Sequence, residues 1–196
     1  MHFEKWHGLG NDFIVTEQAL GTELVRRLCD RRRGVGADGV LVVRREADAS
    51  VRMVIVNADG SRPEMCGNGL RCVAGYFAER GGLSEGTVLV RTPAGERRCE
   101  VRRQGGRFEV GAAMGLVRVG EHLLFAPPAA GPSDPAAAEP ARDFVRVDVG
   151  NPHAVTFDPW DDAAVDRVGP ALERAVPGGT NVELCRVSEG GRRIEV

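Results

Sequence analysis

A proline- and alanine-rich segment, residues 126–142, limits how far any helix or strand can continue along this chain. Its prolines are Pro127, Pro128, Pro132, Pro135 and Pro140. Proline cannot continue a regular helix and has no N–H to donate to a sheet, so we predict a loop near a domain boundary. With 196 residues, 42% of them hydrophobic, the chain can form one large domain or two small ones, each with its own core.

Apolar periodicity predicts regular elements on both sides of that segment. Before it, strands are predicted at residues 13–15, 40–43, 51–56, 87–92, 97–103 and 107–110, and helices at 23–33 and 70–80. This first part is predicted to be a sheet wrapped on a helix. After it come predicted strands at 144–149 and 181–187 and a helix at 163–175 that is interrupted at Gly169–Pro170. Residues 192–196 are predicted to begin one more strand, and since no turn or cap follows, we expect the second domain to be unfinished.

Composition and charge exclude several classes of protein. Lys and Arg number 26 against 28 Asp and Glu, a formal charge of −2, and the basic residues are scattered, so no nucleic-acid partner is expected. Residues 1–13 carry charges and glycines where a secretory signal needs an apolar run. No later run approaches the roughly 20 apolar residues of a membrane span. We therefore expect a globular, cytoplasmic protein without a membrane partner.

The glycines of residues 34–39 match the dinucleotide-binding pattern G-x-G-x-x-G. That motif must follow a strand and open a helix. Here the order is reversed, because a predicted helix precedes the glycines and a predicted strand follows them. We interpret them as turn glycines and expect no nicotinamide or flavin cofactor.

The cysteines form neither a disulfide framework nor a zinc pattern. They are Cys29, Cys66, Cys72, Cys99 and Cys185. Their odd number and irregular spacing are typical of free thiols in a reducing compartment, and the absence of a C-x-x-C pair predicts no zinc site. Three of them, Cys29, Cys72 and Cys185, are predicted to be core residues, whereas Cys99 is predicted to be a surface or half-buried strand residue.

Cys66 has a different setting, because Gly67-Asn68-Gly69 and then a predicted helix follow it. Unpaired backbone N–H groups and the helix dipole stabilise a thiolate at a helix N-terminus. The same N–H groups can hold a substrate carboxylate. A buried structural cysteine is the alternative.

Four separated motifs, taken together, resemble those of diaminopimelate epimerases, and they occur in the same order. The motifs are Gly8-Leu9-Gly10-Asn11-Asp12-Phe13, the block from Asn57 to Arg71, Gly150-Asn151-Pro152-His153 and Gly179-Thr180-Asn181-Val182-Glu183. The resemblance covers nearly the whole chain. It implies an α/β (α+β) fold of two pseudo-symmetric halves, residues 1–117 and 118–196, each a curled, mostly antiparallel sheet around a central helix, with the active site in the cleft between them.

The resemblance also implies a reaction and the residues that perform it. The reaction is cofactor-independent epimerisation of LL-2,6-diaminopimelate to the meso form by two thiols. It belongs to the biosynthesis of lysine and cell-wall precursors. The resemblance also implies a possible homodimer. Cys66 is similar to the first catalytic thiol, and His153 is similar to the residue that tunes the thiols. The positions that match substrate-binding residues are Asn11, Asn57, Gly67, Asn68, Asn151 and Asn181. Structural hydrogen bonding remains the alternative for His153, and turn formation is the alternative for Asn57 and Asn151.

Two departures from the family pattern are expected to matter. The second cysteine of the family lies in a Cys-Gly-Thr-Gly-like turn after a Glu-Arg-Gly segment, and neither occurs in these 196 residues. We therefore expect a truncated second half and a polypeptide that does not complete epimerisation alone. Gly39 stands where the family often has glutamine. The competing interpretations are a proline or hydroxyproline racemase, a phenazine-type isomerase, and a non-catalytic binding or dimerising remnant.

Overall fold

The computed structural model describes residues 1–48, 50–129 and 140–196, which divide into two units, Met1–Gly115 and Leu116–Val196. Part of the predicted loop, residues 130–139, lies outside the described residues. Its described flanks, residues 126–129 and 140–141, have no regular structure. The sequence predicted two epimerase halves, residues 1–117 and 118–196. That these halves act as the two parts of an epimerase stays a prediction.

The first unit is built on one seven-stranded sheet whose strands lie in sequence order. They are β1 (Glu4–Gly8), β2 (Asn11–Thr16), β3 (Gly39–Arg45), β4 (Val51–Asn57), β5 (Glu85–Thr92), β6 (Gly95–Gln104) and β7 (Arg107–Ala112). Pairing is antiparallel except at β2–β3 and β4–β5. Helices α1 (Thr22–Cys29) and α2 (Gly67–Arg80) make these two parallel connections, as parallel pairs require a crossover.

Both faces of this sheet are covered, which explains the continuous apolar run in β2. Phe13 and Val15 belong to the core under α2, whereas Ile14, pointing the other way, belongs to the core with Val25 of α1. Side chains alternate between faces along a strand, so a strand covered on both faces can carry apolar residues at consecutive positions, as β2 does from Phe13 to Val15. The start of α2 therefore lies on one face of the sheet. The core beneath it includes Leu70, which is 0% exposed.

The second unit repeats part of this design. Its sheet has the order β11-β10-β9-β8. The strands are β8 (Arg118–Phe125), β9 (Arg142–Asp148), β10 (Pro152–Thr156) and β11 (Asn181–Leu184), with helix α3 (Asp162–Ala175) between the parallel pair β10 and β11. Strands β12 (Arg186–Ser188) and β13 (Arg193–Glu195) form a separate hairpin around a 3-10 turn, Glu189–Gly191.

In both units an antiparallel pair is followed by a helix and a parallel third strand. The series β1-β2-α1-β3 corresponds in this way to β9-β10-α3-β11. The predicted fold class, an α/β fold of two pseudo-symmetric halves, is confirmed. Strands β1 and β8, for which the sequence pattern gave no prediction, complete the two sheets.

The predicted helices at 23–33 and 163–175 differ from the helices of the structure. The first was predicted at 23–33 but ends at Cys29, because the side chain of Asp30 accepts hydrogen bonds from the backbone N–H groups of Arg32 and Arg33 at 2.8 and 3.0 Å. Such local bonds compete with helix continuation. The interruption predicted at Gly169–Pro170 is also wrong, since α3 runs through it with the fully buried Val168 and Leu172 packed on either side.

The strand predicted at 181–187 is in fact two strands in different sheets. β11 ends at Leu184, and β12 begins at Arg186. Between them Cys185 is buried, and its backbone N–H donates to the carbonyl of Thr156 at 2.8 Å. The chain therefore leaves the four-stranded sheet at this residue. The β-rich character was predicted correctly, but a change of sheet has no local sequence signal.

Cys99 is a core residue, so its predicted surface or half-buried position is wrong. It lies in β6 and is 0% exposed, as part of the core that covers α2. Its neighbours Arg98 and Glu100 are exposed on the opposite face. The alternation that suggested exposure in fact separates the two faces, and Cys99 shares the inner face with Val101. The predicted core positions of Cys29, Cys72 and Cys185 are confirmed.

Candidate active site

Cys66 is the N-cap residue of α2, as its glycine-rich setting predicted. Its backbone is extended, and its Sγ accepts a hydrogen bond from the backbone N–H of Gly69 at 3.3 Å. The N–H groups of Gly67 and Asn68, in the first turn, have no acceptor within the helix. The thiol is half-buried. Cys66 thus combines incomplete burial with an N–H bond to its sulfur at the N-terminus of a helix.

The other cysteines have a different environment. All five lie within the described ranges, and Cys66 is the only one of them that is not buried. Burial raises the pKa of the Cys72 thiol to about 12 and that of Cys99 to about 11. Burial also raises the pKa of Cys29 and of Cys185. These four thiols are therefore neutral near pH 7 and shielded from reagents.

This contrast predicts selective alkylation of the folded chain. Brief treatment with iodoacetamide at pH 8 is expected to modify one thiol per chain, at Cys66, because only a solvent-accessible thiolate reacts quickly. Peptide mass spectrometry measures the site, and unfolding in guanidinium is expected to expose the other four. Rapid modification of Cys72 in the folded chain would contradict this assignment.

Two asparagines predicted from the sequence lie together in the first unit. Asn68, in the first turn of α2, donates from Nδ2 to Oδ1 of Asn11 at 2.6 Å. Asn11 begins β2 after a tight turn in which Leu9 and Gly10 both have positive φ, 50° and 94°. The two-residue turn places Asn11 opposite Gly8, which itself packs near the first turn of α2. The hairpin thus presents Asn11 to the helix that carries Cys66.

Charged groups hold both ends of this asparagine pair. Arg71 donates from Nη1 to Oδ1 of Asn68 at 2.9 Å. At the other end, Asp38 accepts from Nδ2 of Asn11 at 3.2 Å and from the backbone N–H of Asp12 at 3.0 Å. Arg31 bonds both carboxylates, at 2.6 Å to Asp38 and 2.7 Å to Asp12. Its guanidinium is the main reason that the pKa of Asp12 lies well below its usual range.

Asn57 forms the hydrogen bonds of a turn, as the alternative to a substrate-binding role predicts. At the end of β4, its Nδ2 donates to Oγ of Ser61 at 2.9 Å, and its backbone N–H donates to the Ser61 carbonyl at 2.9 Å. It also lies opposite Gly39 in the pairing of β3 with β4. A Cβ at Gly39 would come within 2.9 Å of the Val56 carbonyl oxygen, so a larger residue there requires a backbone shift.

The predicted turn glycines lie between α1 and β3, as expected, and steric limits explain them. A Cβ at Gly34 would come within 2.2 Å of the Arg27 carbonyl oxygen, in the last turn of α1. Gly36 has a φ of 77°, which favours glycine. Since a helix precedes these glycines and a strand follows them, they do not form the helix N-terminus that a dinucleotide pyrophosphate requires.

In the second unit, His153 is held between two side chains. Its Nδ1 lies 2.7 Å from Oε1 of Glu183, and its Nε2 lies 3.1 Å from Oδ1 of Asn151. Both partner atoms are oxygens, one of a carboxylate and one of an amide, so each contact is a hydrogen bond when the ring nitrogen in it carries a proton. The other oxygen of Glu183, Oε2, is buried and has no hydrogen-bond partner among the described residues. His153 is therefore fixed in orientation at the start of β10.

Asn181 lies beside His153 because β10 and β11 are parallel and these two residues are paired. Its Nδ2 donates to the carbonyl of Pro152 at 3.1 Å. Asn151 lies at the turn before β10, where Gly150 has a φ of 103°. The structure thus brings together the three predicted residues of the second unit, Asn151, His153 and Asn181.

The predicted site residues fall into two groups, one in each unit. The first unit contains Cys66, Gly67, Asn68 and Asn11 around the start of α2, with Asn57 at the end of β4. Sequence reasoning missed three side chains that orient these groups, Asp38, Arg71 and Glu183. Arg71 and Glu183 belong to the quoted motifs. Strand pairing brings Asp38 to Asn11 and Glu183 to His153, whereas Arg71 contacts Asn68 three residues earlier in α2.

No group of three or more His, Cys, Asp or Glu side chains in residues 1–48, 50–129 and 140–196 converges as a metal site would require. Within the same residues, no helix has the length and apolar character needed to cross a membrane.

Sequence comparisons identify relatives over almost the full chain. The sequence model of the diaminopimelate epimerase family matches residues 3–119. The diaminopimelate epimerase of Desulforudis audaxviator is 42% identical over 206 residues, which cover 97% of this chain and 73% of the relative. That of Moorella thermoacetica is 42% identical over 204 residues, covering 95% of this chain and 72% of the relative.

Solved structures with low sequence identity share the fold. A probable proline racemase from Agrobacterium radiobacter K84 aligns with a TM-score of 0.70 at 19% identity, covering 98% of this chain and 68% of the other. A hydroxyproline epimerase from Agrobacterium vitis aligns with a TM-score of 0.67 at 16% identity, covering 98% and 67%. At these identities the likeness concerns the fold alone.

Proposed function

This chain belongs to the diaminopimelate epimerase family, a family of isomerases, and from that premise we propose that it acts on the Cα proton of diaminopimelate with Cys66 as acid or base. The observation that supports the proposal most strongly is the position of Cys66, whose half-buried thiol caps α2 beside the Asn11–Asn68 pair. A thiol at a helix N-terminus and amide donors for a carboxylate are the groups that this reaction needs in one place.

The chemistry follows from these positions. A Cα proton is far less acidic than any side chain, so its removal requires stabilisation of the charge that develops on the substrate. The first-turn N–H groups of Gly67 and Asn68 are preorganised donors that can bind the substrate carboxylate next to that carbon. Cys66 then takes the proton as a thiolate, or returns it as a thiol. No metal and no organic cofactor is part of the proposed step.

Inversion needs a second acid or base on the opposite face of the carbon. We propose that none of the other four thiols of this chain fills that role, because all four are buried and a substrate does not reach their sulfur atoms. On this proposal the 196-residue polypeptide exchanges the Cα proton from one face but does not complete epimerisation alone.

For the second unit we propose a substrate-binding role for Asn151 and Asn181 and a catalytic role for His153. The support is the compact cluster at the start of β10 and β11, in which Glu183 orients the imidazole. Asn57 is retained as a proposed substrate ligand, although its amide also bonds Ser61. The predicted cytoplasmic location, the possible homodimer and the independence from pyridoxal phosphate remain part of the proposal.

The test is deuterium exchange at Cα in heavy water, measured by mass spectrometry. LL- and meso-diaminopimelate are incubated with the chain, and proline and hydroxyproline are tested in parallel because the fold is shared with enzymes named for them. We expect deuterium in diaminopimelate only, with one deuteron per exchanged carbon and no net inversion.

Each result decides between the competing functions. Exchange of proline or hydroxyproline in place of diaminopimelate would favour a racemase of that class. Binding of diaminopimelate without exchange would favour a non-catalytic binding module. Substantial conversion of the LL to the meso isomer would contradict the proposal that none of the other four thiols serves as the second acid or base.

A further inference from the structure

Four side chains of the first unit form an unbroken line of hydrogen bonds. Asp38 accepts from Nδ2 of Asn11 at 3.2 Å, and Oδ1 of Asn11 accepts from Nδ2 of Asn68 at 2.6 Å. Oδ1 of Asn68 then accepts from Nη1 of Arg71 at 2.9 Å. The two asparagines are thus the middle of a line whose ends are ionised.

The ends determine which way each amide faces. An asparagine side chain can present either its oxygen or its NH₂ group, but a carboxylate only accepts and a guanidinium only donates. With Asp38 at one end and Arg71 at the other, one arrangement pairs every contact. Flipping both amides would set oxygen against oxygen at Asp38 and N–H against N–H at Arg71, which costs the hydrogen bonds and adds repulsion.

This arrangement decides what the pair can offer a ligand. Each amide oxygen already accepts one hydrogen bond from a neighbour in the line, and each Nδ2 donates one N–H within the line and keeps the other N–H for a ligand. The backbone N–H groups at the start of α2 are also donors. We infer that Asp38 and Arg71 are positioning residues that hold the free N–H groups of Asn11 and Asn68 as donors beside the N–H groups at the start of α2, so that this pair favours a carboxylate over an ammonium group.

This inference rests on the proposed function, because it assigns a substrate group to two of the proposed binding residues. Asp38 is suited to the role because its carboxylate is itself fixed. It accepts from the backbone N–H of Asp12 at 3.0 Å and from Arg31 at 2.6 Å. Asp12 provides a matched control, since its carboxylate also bonds Arg31 but makes no hydrogen bond to either asparagine side chain in the described part of the chain.

The experiment measures the dissociation constant of meso-diaminopimelate by calorimetry and the rate of Cα deuteration at saturating substrate. We expect Asp38→Ala and Arg71→Met to raise the dissociation constant about tenfold, the loss of roughly one oriented hydrogen bond. Arg71→Lys keeps an end that only donates, and Asp12→Ala keeps the line intact, so both are expected within about twofold of the wild type. The dissociation constant is expected to change more than the saturated exchange rate, because the Cys66 thiol and the backbone N–H groups of Gly67 and Asn68 are kept in every variant.

A readout without substrate tests the orientation directly. In a chain labelled with ¹⁵N-asparagine, the side-chain NH₂ protons of Asn11 and Asn68 are expected to give separate resonances, one of each pair shifted downfield by its acceptor. Asp38→Ala is expected to remove the downfield shift at Asn11, and Asp12→Ala is expected to preserve it. Thermal unfolding of each variant measures whether the fold is retained. If Asp38→Ala does not fold, binding by Arg71→Met and Arg71→Lys tests the inference instead.

Three results would overturn the inference. They are equal weakening of binding by Asp12→Ala and Asp38→Ala, unchanged binding in Arg71→Met, and failure of Arg71→Lys to restore it. If the wild type binds no diaminopimelate, the proposed function fails, and the asparagine resonances alone then decide whether Asp38 and Arg71 fix the two amides. A downfield shift that survives Asp38→Ala would overturn the inference in that case.

Discussion

Replacing Cys66 with serine is expected to lower the rate of Cα deuteration of diaminopimelate by about 10³-fold or more while the fold is retained. Serine keeps a side-chain acceptor for the N–H of Gly69 and is a favoured N-cap residue, so α2 should be at least as stable. A hydroxyl is far less acidic than a thiol and supplies almost no base at neutral pH. Loss of exchange without loss of stability would therefore identify the thiol as the reacting group.

Cys99→Ala is the matched control for that experiment. Cys99 lies in the core that covers the same helix and is 0% exposed, so its truncation should cost about 1–2 kcal/mol of stability through the lost buried sulfur. The saturated exchange rate is expected to stay within about twofold of the wild type. If Cys66→Ser retained a tenth or more of the wild-type rate, or if Cys99→Ala lost exchange as completely, Cys66 would not be the proposed acid or base.

The position of Cys66 could be predicted because its signals are local. Glycines on both sides of Asn68 and the apolar spacing from Leu70 onward indicate a helix that starts just after the cysteine, and α2 does start at Gly67. The strands β5, β6 and β7 were predicted equally well, since alternation along one antiparallel meander needs no distant partner. Local propensity and tertiary structure agree in both places.

Two of the groups that orient the site, Asp38 and Glu183, could not be predicted, because strand pairing between distant residues creates their contacts. Asp38 reaches Asn11, 27 residues earlier, because β2 and β3 are parallel neighbours. Glu183 reaches His153, 30 residues earlier, through the corresponding pair β10 and β11. Asn11, His153 and Glu183 stand in the quoted motifs and Asp38 in the glycine-rich segment 34–39, but register between strands decides which of them meet.

The wrong predictions also have identifiable causes. Helical spacing beyond Cys29 was outweighed by Asp30, whose side chain bonds two backbone N–H groups and ends α1. At Cys99, charged neighbours were interpreted as exposure, although a strand places neighbours on opposite faces. Residues two apart in a strand lie on the same face, so the apolar Val101 would have predicted that Cys99 lies on the buried face.

Gly34→Ala is expected to destabilise the first unit by about 3 kcal/mol, the upper range for overpacking against a rigid backbone. The loop after α1 folds back on the helix, with the N–H of Gly34 donating to the Asp30 carbonyl at 2.8 Å and that of Gly36 to the Leu28 carbonyl at 3.0 Å. A Cβ at residue 34 would lie 2.2 Å from the Arg27 carbonyl oxygen and 2.6 Å from that of Leu28. Backbone atoms of a helix cannot move aside as a flexible side chain can, so the loop itself must shift.

Gly106→Ala is the matched control, because it is the same substitution at a glycine whose Cβ would have no neighbour within 4 Å. Its effect is expected to be within about 0.5 kcal/mol, whereas Gly34→Ala is expected to lower the unfolding midpoint by about 10 °C in a thermal melt. Since the shifted loop leads directly into Asp38, Gly34→Ala should also weaken diaminopimelate binding. Equal melting temperatures for the two variants would show that the loop can relax away from α1, and the steric reason for glycine at residue 34 would then be wrong.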